Sequence, residues 1–195
     1  MIEQLTVVDA SRRPIGKKDR DSVHFDGDWH ETFHCWFWKD DNLYLQLRSP
    51  EKKDFPGKLD ITAAGHLAVG EDATDGVREI EEELGMRVEY EQLHSLGVFE
   101  DVIEADAFTD REFAHTYAYR YRGESFHLDT EEVTDIVIVK RKDLIRLIQG
   151  QVIQINVQSV LLRNHYLIST DALVPHAESY WAHVLEGLTR LASRS

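Results

Sequence analysis

Between Gly65 and Met86 the chain reads GHLAVGEDATDGVREIEEELGM, and this stretch constrains the fold more than any other. Its second half has the spacing of an amphipathic helix over about residues 74–84. At about 100° per residue, Glu79, Glu82 and Glu83 project at roughly 0°, 300° and 40° around the axis. Val77, Ile80 and Leu84 fall on the other side, at roughly 100° to 160°. One face can be buried while the other offers three converging carboxylates. Like charges at these spacings each destabilise a helix by about a few tenths of a kcal/mol. A divalent cation converts that repulsion into binding, because hard cations take oxygen ligands. Gly85 stands where a left-handed residue ends a helix, and Asp72 or Thr74 is placed to cap its start. Arg78, four residues before Glu82, is placed to hold a carboxylate. Gly65 and Gly70 bracket a tight loop that brings Glu71 near the helix N-terminus.

A run such as EIEEE is often no more than a solvated helix face, so the rest of the chain has to supply context. Residues 4–9 read as a short strand followed by a turn at Arg13–Gly16. Residues 31–38 (ETFHCWFW) carry strand formers on both faces, as a central strand does. The turn Asp40-Asp41-Asn42 then leads into LYLQLR, which predicts a hairpin. Phe55-Pro56-Gly57 breaks the chain before a short strand at 58–62. Further strands are expected near 87–98, 112–121 and 133–139, and a helix at 141–148. Residues 99–110 read as a long acidic loop. After Pro175, Trp181, Val184, Leu185, Leu188 and Leu191 recur at helical spacing, predicting an amphipathic helix from about 177 to 193. Segment 151–174 has mixed signals and no assignment.

The net charge of −14 argues against nucleic-acid or anionic-membrane partners. No run approaches membrane-spanning length, and Cys35, the only cysteine, permits no internal disulfide. A cytoplasmic location is the default expectation.

The motif resembles that of the Nudix hydrolases, G-x5-E-x7-R-E-U-x-E-E-x-G-U, with U a bulky aliphatic residue. Gly65, Glu71, Arg78, Glu79, Ile80, Glu82, Glu83, Gly85 and Met86 match its fixed positions in order. There is one departure. Six residues, not seven, separate Glu71 from Arg78, which displaces Glu71 more than the helix triad. The resemblance implies an α/β/α sandwich, an α/β (α+β) fold with a central mixed sheet. Residues 1–150 would form the domain, and 151–195 a C-terminal helical extension packed on it. It also implies hydrolysis of a diphosphate linkage in a small molecule with Mg²⁺ or Mn²⁺ held by Glu79, Glu82, Glu83 and Glu112. Glu82, Glu83, Arg78 and Glu112 would be the catalytic residues. Gly65, His66, Gly70 and Glu71 would form the loop beside the phosphates. Glu112, or one of Glu100, Asp101, Glu104 and Asp106, is the candidate general base. Related proteins are often dimers, so a homodimer is one assembly to expect.

Upstream, VVDASRRPIGKK, WHETFHCWF and LQLRSPEKKDFPGKLDITAAGH resemble the branch of the family that includes isopentenyl-diphosphate isomerase. Those isomerases build a metal site from histidines and acidic residues. His30, His66 and Glu112 match its positions, and His24 and Asp110 match more loosely. The isomerase cysteine before the Gly-His pair is Ala64 here, which removes one of the two proton-transfer partners that allylic chemistry needs. An isomerase-like enzyme and a catalytically silent ligand-sensing module are the alternatives to a hydrolase. His34, in a strand, reads as packing, and Trp29, Trp36 and Trp38 as core or cleft lining. Phe55 lies near the expected cleft.

Overall fold

The computed structural model describes residues 3–105 and 108–193. A two-stranded ribbon, β1 (Gln4–Val8) and β2 (Pro14–Asp19), leads into a short helix, α1 (Arg20–Asp26). Asp19 starts that helix by accepting from the Ser22 N–H, and left-handed Gly27 ends it. There follow β3 (Trp29–Lys39), β4 (Asn42–Arg48), β5 (Leu59–Asp60), β6 (Ala63–His66) and the motif helix α2 (Arg78–Leu84). Then come β7 (Leu93–Ala105), β8 (Phe108–Arg120), β9 (Val133–Lys140), α3 (Arg141–Ile148), β10 (Ile155–Ser159), β11 (His165–Ile168) and α4 (Glu178–Ala192).

The main sheet runs β11-β10-β9-β4-β3-β8-β7, with β5 on β4 and β6 on β3. Every pairing is antiparallel except β3 with β8, which makes the sheet mixed. The two-faced burial of β3 explains its central place. Phe33, Cys35 and Phe37 pack against Ile80 and Leu84 of α2. Trp36 and Trp38, one residue out of phase, pack in a second core with Leu144 and Leu147 of α3 and with Tyr180, Trp181, Val184 and Leu188 of α4. The result is the expected three-layer α/β/α arrangement with an added C-terminal helix. Among the described residues no helix is long and apolar enough to cross a membrane.

Three local expectations need correction. The strand expected from residue 87 begins only at Leu93, because the Glu89 and Gln92 side chains cap each other's backbone and wind Tyr90–Gln92 into a 3₁₀ turn. Residues 99–105 and 108–110 of the acidic stretch are strand, not loop. β7 and β8 pair from Leu93↔Tyr119 to Ala105↔Phe108, with one register shift between Ser95 and Gly97. Its acids follow the strand period: Glu100 and Glu104 point to solvent, while Asp101 and Ile103 are buried. Asp106 lies outside the described residues. Finally, neither Asp72 nor Thr74 caps α2 directly. Asp72 accepts from the Thr74 N–H and hydroxyl, and a 3₁₀ turn at Asp75–Val77 feeds the helix instead.

The segment after residue 150 continues the same sheet. β10 pairs with β9 and β11 with β10. The chain then crosses to β5, where the Val174 N–H donates to the Leu59 carbonyl, before α4 lies on the sheet.

Candidate active site

A cleft of about 920 Å³ opens where α2, β6, β8, the 49–57 loop and the segment before α4 converge. One wall is the motif. Left-handed Gly85 ends α2, with its N–H donating to the Glu81 carbonyl, as the spacing predicts. Gly65 is needed for a different reason. A Cβ there would sit 2.1 Å from Glu79 Oε1, so the carboxylate lies directly against loop backbone. Burial pushes the Glu79 carboxyl up to about 7. Burial and the neighbouring Glu79 charge push Glu83 well above the ordinary carboxylate range, although Glu83 accepts from the Ala64 N–H at 3.1 Å and from Gln46 Nε2 at 3.3 Å. Glu82 stays at the rim, with its side chain 57% exposed.

Arg78 ties this wall together. Its Nε and Nη2 donate to the two oxygens of Glu71 at 2.8 and 2.9 Å, a bidentate pair. Nη1 reaches Glu79 at 2.6 Å and Glu82 at 2.9 Å, and Nη2 also donates to the His66 carbonyl at 3.1 Å. Glu71 holds the loop further by accepting from the Ala68 N–H at 2.8 Å. Gly65, His66, Arg78, Glu79, Glu82, Glu83 and Glu112 all line the cleft. Gly70 and Glu71 do not: Gly70 turns the loop at φ +93°, and Glu71 faces Arg78.

Beside the motif lies a group of imidazoles and acids, of which His66, Asp110 and Glu112 line the cleft. Donor atoms of His24, His30 and His66 lie within 4.8 Å of one another, as do those of His30, Asp110 and Glu112. His30 and Glu112 are register partners across β3 and β8. His30 Nδ1 faces the Asp28 carbonyl at 3.2 Å, which places the ring proton on Nδ1 and leaves a bare Nε2. That Nε2 lies 3.4 Å from Asp110 Oδ1, and both atoms are buried without a hydrogen-bond partner. Two facing acceptors are tolerable only with a proton or a cation between them. Burial pushes His24 down to about 4, Asp110 up to about 8 and Glu112 up to about 7. This donor set fits a cation. Among the described residues the three motif glutamates do not form so compact a group.

The mouth carries the basic residues Arg20, Arg48, Lys52 and Lys53, although the chain as a whole is acidic. Arg20 pairs with Asp54 and Lys52 with Glu132. Arg48 binds Asp60 at 3.0 Å and the Asp54 carbonyl at 2.9 Å, holding the 49–57 loop to the sheet.

Sequence reasoning missed the cleft floor. His176 lies buried between Asp101 at 2.6 Å and Asp60 at 2.8 Å. Burial disfavours its charge, but the two carboxylates outweigh that effect and push it up to about 10. His34, read as packing, is buried and also contacts chemistry: its Nε2 lies 3.3 Å from Glu112 Oε2. Burial and the His176 charge push His34 down to about 4. The only signal in the chain was polar residues interrupting apolar patterns, at His34 in ETFHCWFW and His176 after Pro175.

Among the described residues, then, a mixed sheet between helices carries an acidic helix, a glycine loop and an imidazole–carboxylate cluster around one cleft. This arrangement is that of a mixed α/β/α fold with a carboxylate-rich cleft, and the family follows from comparison. The NUDIX domain model matches residues 28–156, and the chain belongs to the Nudix hydrolase family. It is 33% identical over 199 residues to an uncharacterized Nudix hydrolase of Clostridium acetobutylicum, covering 95% of this chain and 97% of the relative. It is 30% identical over 140 residues to an isopentenyl-diphosphate Delta-isomerase of Mycolicibacterium vanbaalenii, covering 70% and 77%. The crystal structure of DR0079 from Deinococcus radiodurans shares the fold, with a TM-score of 0.60 at 19% identity over 76% of this chain and 90% of that one.

Proposed function

We propose that this protein is a metal-dependent diphosphohydrolase. It would cleave the P–O–P linkage of a nucleoside diphosphate derivative or a related organic diphosphate. The observation that carries the reading is one cleft lined by Glu79 and Glu83 of α2 together with Asp110 and Glu112 of β8, where Asp110 Oδ1 and the neighbouring His30 Nε2 lie buried without a hydrogen-bond partner. Glu79, Glu82, Glu83 and Glu112 would hold Mg²⁺ or Mn²⁺, and the imidazole-rich set beside Glu112 favours a transition-metal ion over Mg²⁺. Such an ion, when bound, neutralises phosphate charge and lowers the pKa of an attacking water.

The chain's own residues do the rest. Arg78 holds Glu79 and Glu82 in place from the side, with Glu71 behind it. The Gly65 loop lets the backbone approach the phosphates. Arg20, Lys52 and Lys53 at the mouth offer positive charge to the anionic substrate, which would take over from their present carboxylate partners. Glu112, with its carboxyl pushed up to about 7, is suited to accept a proton from water near neutral pH. Ala64 lines the cleft at the isomerase cysteine position, so double-bond isomerisation lacks its thiol. A silent sensing module would have no need of this intact carboxylate set. Action in the cytoplasm on small molecules suits the buried, unpaired Cys35 and the acid surplus, and a homodimer is one assembly open to it.

The test is turnover of a panel of diphosphate compounds with Mg²⁺ or Mn²⁺, read as released phosphate or monophosphate. Glu82→Gln should fold normally, since Glu82 is at the rim, and lose at least about two orders of magnitude in rate. Full activity in that variant overturns the assignment.

A further inference from the structure

We propose that α4 is a working part of the cleft: through Tyr180 and His34 it positions the carboxylate of Glu112. Tyr180, at the start of α4, is fully buried against the central strand. Its hydroxyl lies 2.7 Å from His34 Nδ1 and 3.1 Å from Trp36 Nε1. The indole N–H can only donate, so the phenol oxygen accepts from Trp36. Among the described residues, the phenol proton then has His34 Nδ1 as its hydrogen-bond acceptor. Nδ1 must be bare to accept it, which places the ring proton on Nε2. That Nε2 hydrogen-bonds Thr32 Oγ1 at 3.2 Å and lies 3.3 Å from Glu112 Oε2.

Donor counting thus lets a tyrosine on the last helix place an N–H, rather than a bare nitrogen, beside a carboxylate lining the cleft. The same Glu112 carboxylate also offers a ligand atom within 4.8 Å of those of His30 and Asp110. Without the phenol, Nδ1 has no partner and the imidazole proton is free to move there. Nε2 then becomes an acceptor facing the Glu112 oxygen, a repulsion in a dry site. The start of α4 is pinned so that this cannot drift. Asp101 accepts from the Ala177 N–H at 2.8 Å and from His176 at 2.6 Å. Tyr180 and His34 are positioning residues, since neither reaches the reacting atoms.

The catalytic consequence rests on the hydrolase reading, but the tautomer does not, and the two can be tested apart. ¹⁵N imidazole spectra of the Mg²⁺-loaded protein, with His34 assigned from a His34→Gln variant, should show a neutral ring protonated on Nε2. Tyr180→Phe keeps the ring in its slot and removes only the hydroxyl. It should shift His34 toward the Nδ1–H form and lower kcat about tenfold while KM stays within about twofold, the effect of one lost hydrogen bond. A His34 protonated on Nδ1 in the unaltered protein overturns the proposal, as does a Tyr180→Phe enzyme with unchanged kcat. Should that variant not fold, the tautomer in the unaltered protein decides. A protein that turns over no diphosphate defeats the hydrolase reading, and the spectra then judge the positioning on their own.

Discussion

Gly65 shows most directly how one residue shapes the cleft. Its missing side chain is the space that Glu79 occupies, with the carboxylate 2.1 Å from where a Cβ would stand. Gly65→Ala therefore forces either the loop or the glutamate outward, and Arg78 resists the second movement by holding Glu79 at 2.6 Å. We expect a fall in melting temperature corresponding to about 1–3 kcal/mol of overpacking strain, with a loss of turnover larger than that fall explains. Calorimetry and steady-state kinetics on the same preparation check both. Unchanged turnover would show that the Glu79–loop contact has no part in the reaction. At this scale the sequence was legible where the partners are neighbours. Arg78, Glu79, Glu82 and Glu83 share one helix, and Glu71 is seven residues from Arg78. His34 was not, because its meaning comes from Tyr180, 146 residues away.

At the scale of elements, periodicity carried most of the fold. α3 and α4 stand where their apolar spacing put them, and β3 is central because both its faces are apolar. The failures have a common cause. The acids of 99–105 were weighed by composition, although Glu100 and Glu104 fall on the exposed face of the strand and Asp101 shares the buried face with Ile103. β10 and β11 take their definition from β9, a partner no local window contains. The attachment of α4 also sets a pH dependence. His176 titrates at about 10 in the folded protein against an ordinary 6.5, so the native state holds a proton that the unfolded chain releases. Its contribution is full below about pH 6.5 and fades as pH rises toward 10. Thermal stability should therefore decline across that window, by at most about 1.4 kcal/mol per pH unit for one proton. His176→Gln should be less stable at neutral pH and flatter over the same range. Parallel melting curves for both proteins from pH 6.5 to 10 would contradict the buried imidazolium.

Across the whole molecule, the imidazole–carboxylate cluster joins distant parts of the chain: His24 from α1, His30 from β3, His66 from β6, and Asp110 and Glu112 from β8. The two ligand groups share His30, so a cation bound in either one ties two or three of these elements together and stabilises only the folded chain. Mn²⁺ in excess should raise the melting temperature by the equivalent of about 2.7 kcal/mol at a hundredfold over its Kd, and His30→Asn should remove most of that rise. An equal rise in the variant would place the ion elsewhere. The same geography has a quieter consequence. His30 and Glu112 sit side by side in the parallel pairing of β3 with β8, about eighty residues apart along the chain. A slip of one position would swing Glu112 to the opposite face, behind the sheet. The pocket is thereby a checksum on strand alignment, so that a chain folded one step out of phase would advertise its error as an inability to grip the ion.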